Sequence, residues 1–197
     1  MLVTLGIVAS SCSGGGSSPK VNEAWVVPTP AGYVALKNAK HDHLLGVQTL
    51  KSASYRRPGL RQAGWRSSIA EEWAPTALVR SGHPYSIDQT IYLTIDQFGS
   101  STQAASYQRK LAALYLERGP GEGPIIRLKV RGVPGAVAVQ QDPGRTLTGE
   151  LKITYVVVAF HRGPYLVTLG GGETSFSVQL ERLVEHMAKA QYGRIPN

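Results

Sequence analysis

A single cysteine, Cys12, stands after the small residues Ala9-Ser10-Ser11 and before the run Ser13-Gly14-Gly15-Gly16-Ser17-Ser18. A thiol in that setting is expected to be a site for acylation. A signal peptidase requires small residues just before the cysteine whose sulfur carries a diacylglyceryl group, and Cys12 then becomes the N-terminus. The preceding Leu2-Val3-Thr4-Leu5-Gly6-Ile7-Val8 is too short to cross a bilayer, which takes about 20 residues, but it matches the apolar part of an export signal. Two features depart from that pattern. Ala9 stands where Leu is usual, three places before the cysteine, and no Lys or Arg precedes the apolar run, as a start codon further upstream would explain. One cysteine allows no internal disulfide and no paired-cysteine redox or zinc motif, so the fold must rest on its apolar core.

Three other groupings carry residue types with chemistry. His41-Asp42-His43 offers two imidazoles and a carboxylate, all good zinc ligands. Residues two apart converge on one metal only with help from distant ligands, and no HExxH accompanies them, so a solvated loop is the expectation. Gly170-Gly171-Gly172 can present backbone N–H groups to an anion, but the Lys-Ser/Thr of a phosphate loop is missing and Glu173 puts negative charge where the anion would sit. A plain turn using positive φ is expected there. His161-Arg162, at the end of a strand, can hold an acid group; solvation of a hairpin tip is the favoured reading. The chain has no Gly-x-Ser-x-Gly elbow and no local carboxylate pair. No catalytic residue, metal or cofactor is therefore expected.

The net charge of +8 is unevenly distributed. Between Lys20 and Arg66 lie eight of the 21 bases, against Glu23 and Asp42 of the 13 acids. A basic stretch near a lipid anchor is drawn to anionic headgroups by about 1 kcal/mol per charge. Lys51, Arg56, Arg57, Arg61 and Arg66 are the candidate contacts, weighed against a solvated basic face with no partner. Nucleic acid is not an expected partner, because these cations are not interleaved with stacking aromatics.

These residues need a scaffold. Gly14 to about Pro30 reads as a flexible tether kept extended by Pro19, Pro28 and Pro30. The organisation expected is a signal over 1–11, the lipidated cysteine and tether over 12–30, and one domain over 31–197. Leu44, Leu45, Val47 and Leu50 fall at helical spacing between His41 and Tyr55. Trp65 to Trp73 is compatible with a strand that puts Trp65, Ser67, Ile69, Glu71 and Trp73 on one face. Ile91, Leu93 and Ile95 alternate with polar residues and predict a half-buried strand over 87–98. Ser100-x-x-Gln103 is a capping box for a helix with Ala104, Tyr107, Leu111, Leu114 and Tyr115 as its apolar stripe. Strands follow at Ile126 to Val130, Ala136 to Gln141 and Ile153 to Phe160. The last turns through Arg162-Gly163-Pro164 into Tyr165 to Leu169 as an antiparallel hairpin. A final helix carries Phe176, Leu180, Leu183, Val184 and Met187 on one face. Too few helices separate the later strands for a doubly wound parallel sheet, so the fold class expected is α+β, an antiparallel sheet with helices packed on it.

Gly64-Trp65 before a Trp-containing strand, Gln97-Phe98-Gly99-Ser100 leading into Ala104-Ala105-x-Tyr107, Val133-Pro134-Gly135-Ala136, and Phe160-His161-Arg162-Gly163-Pro164-Tyr165 before a C-terminal helix form a combination. It resembles secreted lipoproteins of actinobacteria, several of which are similar to the PsbP-like α/β sandwich. The resemblance covers roughly residues 64–195 and rests on turns and a strand–helix junction. It implies an antiparallel sheet with helices on its faces and an envelope-facing role without a catalytic motif. The function expected is a lipid-anchored, non-enzymatic binding or scaffolding protein whose partner is an envelope protein, a wall polymer or a lipid. The alternative is an exported hydrolase with a site assembled only by the fold.

Overall fold

Strand β4 (Ile91–Phe98) sets the architecture, because both of its faces are buried. The computed structural model describes residues 19–36, 48–50, 59–82, 90–117, 123–141, 154–173 and 178–196. Ile91, Leu93 and Ile95 enter the larger core cluster, while Phe98 enters a second cluster on the opposite face, where Thr94 and Asp96 are also buried. The strand is thus not half-buried as its alternation predicts. The polar residues of its second face lie under a helix rather than in water.

The elements, in chain order, are β1 (Tyr33–Ala35), β2 (Gln48–Leu50), β3 (Trp65–Pro75), α1 (Thr76–Arg80), β4, α2 (Ser101–Leu116), β5 (Ile125–Leu128), β6 (Val137–Gln141), β7 (Thr154–Arg162), β8 (Tyr165–Glu173) and α3 (Val178–Arg194). All described strand pairings are antiparallel, in the order β1-β3-β4-β8-β7-β6-β5, with β2 also on β3. The fold is α+β, an open antiparallel sheet with helices packed on it. After β4 the chain crosses to the far edge through α2, returns as the meander β5-β6-β7-β8, and ends in α3. Helix α2 packs Ala104, Tyr107 and Leu111 against Phe98, Leu166 and Leu60. Helix α3 packs Leu180, Val184, Met187 and Ala188 against Leu93, Val158, Phe160 and Leu169 on the other face.

Local sequence explains most of these elements. The Ser100 hydroxyl accepts from the Gln103 N–H at 3.2 Å and caps α2, as its capping box predicts. The Gln103 side chain takes another role. It lies over Gly64 and Gly99, where added Cβ atoms would sit 2.3 and 2.6 Å from its amide. In the α2 stripe Gln108 is buried, whereas Leu114 is exposed. The β7–β8 hairpin closes in two residues, Gly163 at φ 54° and Pro164, which suits a turn needing positive then negative φ.

Other expectations change. Gln48–Leu50, placed in a helix by the spacing of its leucines, is a strand paired with Ser68–Ala70 of β3; the rest of that segment lies outside the described residues. A run of four apolar residues is too short to overrule an available strand edge. A β-bulge between Trp65 and Ser67 turns Trp65 to the α2 side, away from Trp73. Gly170-Gly171-Gly172 is no turn. It continues β8, paired with Tyr155, Val156 and Val157 of β7, and none of the three has positive φ. Gly170 is needed for another reason: a Cβ there would lie 2.5 Å from the Tyr92 hydroxyl and 2.7 Å from its Cζ.

Gly170→Ala is expected to destabilise the protein by about 1–3 kcal/mol in denaturant unfolding, through that overlap. In a Tyr92→Ala background the same change should be neutral or stabilising, since glycine is the weaker strand former. Equal losses in both backgrounds would refute the account.

Candidate functional site

The segment expected to be a tether is docked from Pro19 onward. The Tyr165 hydroxyl and the Gln97 amide both donate to the Pro19 carbonyl, the latter at 3.1 Å. Trp25 packs edge-on against the Tyr165 ring, with centroids 5.1 Å apart. Buried Gln191 of α3 binds the strap at two points. Its Nε2 donates to the Trp25 carbonyl at 2.8 Å, and its Oε1 accepts from the Val27 N–H at 3.0 Å. Arg194 donates to the Ala24 carbonyl at 3.2 Å. Val27 is buried, and Val21, Trp25 and Val26 pack on the same core. The tether boundary at Pro30 is therefore corrected: residues 19–27 belong to the domain, because their apolar side chains complete the core on the α3 side. Burial raises the Tyr165 pKa above its ordinary value, which keeps the phenol a neutral donor to Pro19.

His161 and Arg162 are structural ties rather than a solvated tip or an acid site. Alternation along β7 sends them to opposite faces. Gln108 of α2 donates through Nε2 to the carbonyls of Gly135 at 2.8 Å and Ala159 at 3.1 Å. Its Oε1 then faces His161 Nδ1 at 2.5 Å, so this nitrogen carries the proton. Arg162 donates to the Tyr192 carbonyl at 2.7 Å and lies 4.9 Å from the centre of the Tyr192 ring. The hairpin is thereby pinned to α2 on one side and α3 on the other. Burial, and next the charge of Arg109, lower the His161 pKa from its ordinary value.

Of the sequence candidates, Cys12, Lys51, Arg56, Arg57 and His41-Asp42-His43 lie outside the described residues. Arg61 and Arg66 are exposed, one in the turn before β3 and one at its start. The Arg66 guanidinium lies beside Gly99, 3.3 Å from where a Cβ would stand. Among the described residues no three His, Cys, Asp or Glu side chains are grouped to hold a metal.

Two features were not legible in the sequence. Trp65 Nε1 donates to Ser68 Oγ at 2.6 Å, and that hydroxyl donates to Asp96. Ser68 is wholly buried, so the pair offers no accessible nucleophile; it ties the bulge to β4. The loop 129–134 also lines an open crevice of about 440 Å³.

No protein-family model and no curated protein matches the chain. Among solved structures it is similar to the extracellular domain of PknH from Mycobacterium tuberculosis, with a TM-score of 0.51 and 10% identity over 91% of this chain and 100% of that one. At that identity the likeness is one of fold.

Gln191→Ala is expected to cost about 1–3 kcal/mol, because the Val27 N–H loses its buried partner, and to speed hydrogen exchange at Val27. Unchanged exchange there would mean that the strap is held by other contacts. His161 gives a pH dependence of definite sign. Its folded pKa is lowered, so the unfolded chain binds the proton more readily. Stability should be flat above the ordinary histidine value and fall as pH drops through about 6.5 toward the lowered folded value. His161→Gln should flatten that limb of a Tm-against-pH curve; an unaltered curve would assign the limb to other groups.

Proposed function

We propose that this protein is a lipid-anchored component of the cell envelope, held through Cys12 on the extracytoplasmic face. Its α+β domain serves as a non-enzymatic binding or scaffolding module for a protein, a wall polymer or a lipid. The observation that carries the reading is the placing of Cys12, after three small residues and an apolar export-type segment, a few residues before the strap that docks at Pro19. An anchor so close to the fold suits a module that works at a surface.

Three further points support it. The fold likeness is to a domain described as extracellular. A sheet with α2 and α3 on opposite faces agrees with the PsbP-like sandwich of the actinobacterial lipoproteins that the sequence resembles. No helix among the described residues is long and apolar enough to cross a membrane, which is compatible with anchoring through Cys12. Against the exported-hydrolase alternative stands the chemistry of the polar groups. Ser68 is buried and bonded to Asp96, and His161 is committed to Gln108. Neither has the open, mutually oriented geometry that acyl transfer requires.

The test is the chemical state of Cys12 in the protein purified from its own host. Mass spectrometry should find a diacylated cysteine as the mature N-terminus, and Cys12→Ala should abolish both the lipid label and membrane fractionation. An unmodified cysteine in a soluble protein would overturn the proposal.

A further inference from the structure

The docked strap fixes where the anchored chain enters the domain, and that point lies at one end of the sheet. Pro19 is bound by Gln97 and Tyr165, both beside the β7–β8 turn. The Phe98 N–H donates to the Pro164 carbonyl at 2.8 Å, and the Gly99 N–H to the Gly64 carbonyl at 3.0 Å. Entry point, hairpin turn, start of α2 and the 59–66 loop are thus neighbours at this end. The rest of the strap runs away from it along α3 toward β1, which pairs with the opposite end of β3.

On the α2 side of this end, around the entry point, the charge is of one sign. Across residues 59–66 and 98–110, which border it there, the charged side chains are Arg61, Arg66, Arg109 and Lys110, all cationic and exposed. Arg66 lies against Gly99, and the Lys110 ammonium lies over Gly59, 2.9 Å from where a Cβ would stand. Exposed Lys20 adjoins the entry point, where Glu23 is the strap's one carboxylate. The N-terminus of α2 adds a partial positive charge to the same end.

Covalent length joins these observations. Six residues separate Cys12 from Pro19, and an extended chain spans at most about 3.5 Å per residue, so the Cys12 thiol lies within about 25 Å of Pro19. We infer that the end of the sheet bearing Arg61, Arg66, Arg109 and Lys110 is the membrane-facing surface of the domain, and that it docks on anionic phospholipid headgroups. This orientation rests on the anchor reading, but the attraction of the surface for lipid does not and is testable without acylation. Cations at a membrane act within a Debye length of about 8 Å at physiological salt, a distance this short connection permits.

The test uses the full chain carrying Cys12→Ser, so that no acyl group contributes, in co-sedimentation with phosphatidylcholine vesicles with and without phosphatidylglycerol. Binding should require the anionic lipid and weaken as salt is raised. Arg61→Glu with Arg66→Glu should weaken it by at least about fivefold per cation removed. Arg109→Glu with Lys110→Glu should do the same, a second pair that guards against misfolding of the first. Arg80→Glu with Arg182→Glu, an equal change of net charge near the opposite end of the sheet, should have a much smaller effect. Equal losses from all three pairs, or no preference for the anionic vesicles, would overturn the inference while leaving the state of Cys12 as a separate result.

Discussion

Strand β8 has no solvent face: Tyr165, Val167 and Leu169 point into one core while Leu166 and Thr168 lie buried on the other side, so each side of the sheet needs a cover. Returning either face to water would cost about 1.5–3 kcal/mol for each large side chain exposed. The connections answer that need. The α2 crossover covers one side on its way to the far edge, and α3 covers the other after the meander is complete. Helix α3 does not reach all of its face, and the strap at 19–27 fills the remainder, with Trp25 on Tyr165 and Val27 beside Gln191.

Double-sided burial also governs the polar residues. A strand that alternates apolar and polar side chains ordinarily shows its polar face to water, but β4 turns that face toward α2. Each buried polar group then needs a partner. Asp96 accepts from Ser68, Ser68 from Trp65, and Gln108 divides its amide among Gly135, Ala159 and His161. The pair singled out in the sequence at the end of β7 is spent in this way. His161 and Arg162 each face a helix and are used to position it.

Sequence periodicity exposes the elements whose signal is local. The β4 alternation, the Ser100 cap and the Gly163-Pro164 turn each depend on neighbouring residues, and each is realised in the fold. The misreadings share a non-local cause. Gly170-Gly171-Gly172 resembles a turn because glycine is free, yet Gly170 is in the strand because the Tyr92 ring occupies the place of a side chain, a contact between residues 78 apart in sequence. Pro19 to Val27 resembles a tether by composition, and only the distant Gln97, Tyr165 and Gln191 reveal that it is bound. The bulge at Trp65 reverses a face, and Gly64 beside it, at φ 88°, reads in the sequence as the close of a turn. Of the functional candidates, Cys12 is proposed from a linear motif, which needs no fold to be seen. The grouping of Arg61 and Arg66 with Arg109 and Lys110 needs the fold.

The strap connects these levels. A tether free up to Pro30 would let the domain sample a wide range of heights and orientations, and scattered surface cations, weakened by salt, would do little to order it. Docking from Pro19 shortens the connection to six residues and places the entry point beside the cationic end of the sheet. With Cys12 acylated as proposed, the encounter between that end and an anionic surface would be intramolecular, its effective concentration set by the length of the connection rather than by the abundance of the protein. Individually weak attractions suffice under that condition. The same Tyr165 and Gln191 contacts that complete the core would therefore also aim the domain, leaving its opposite end, where β1 meets Pro75 of β3, directed away from the membrane.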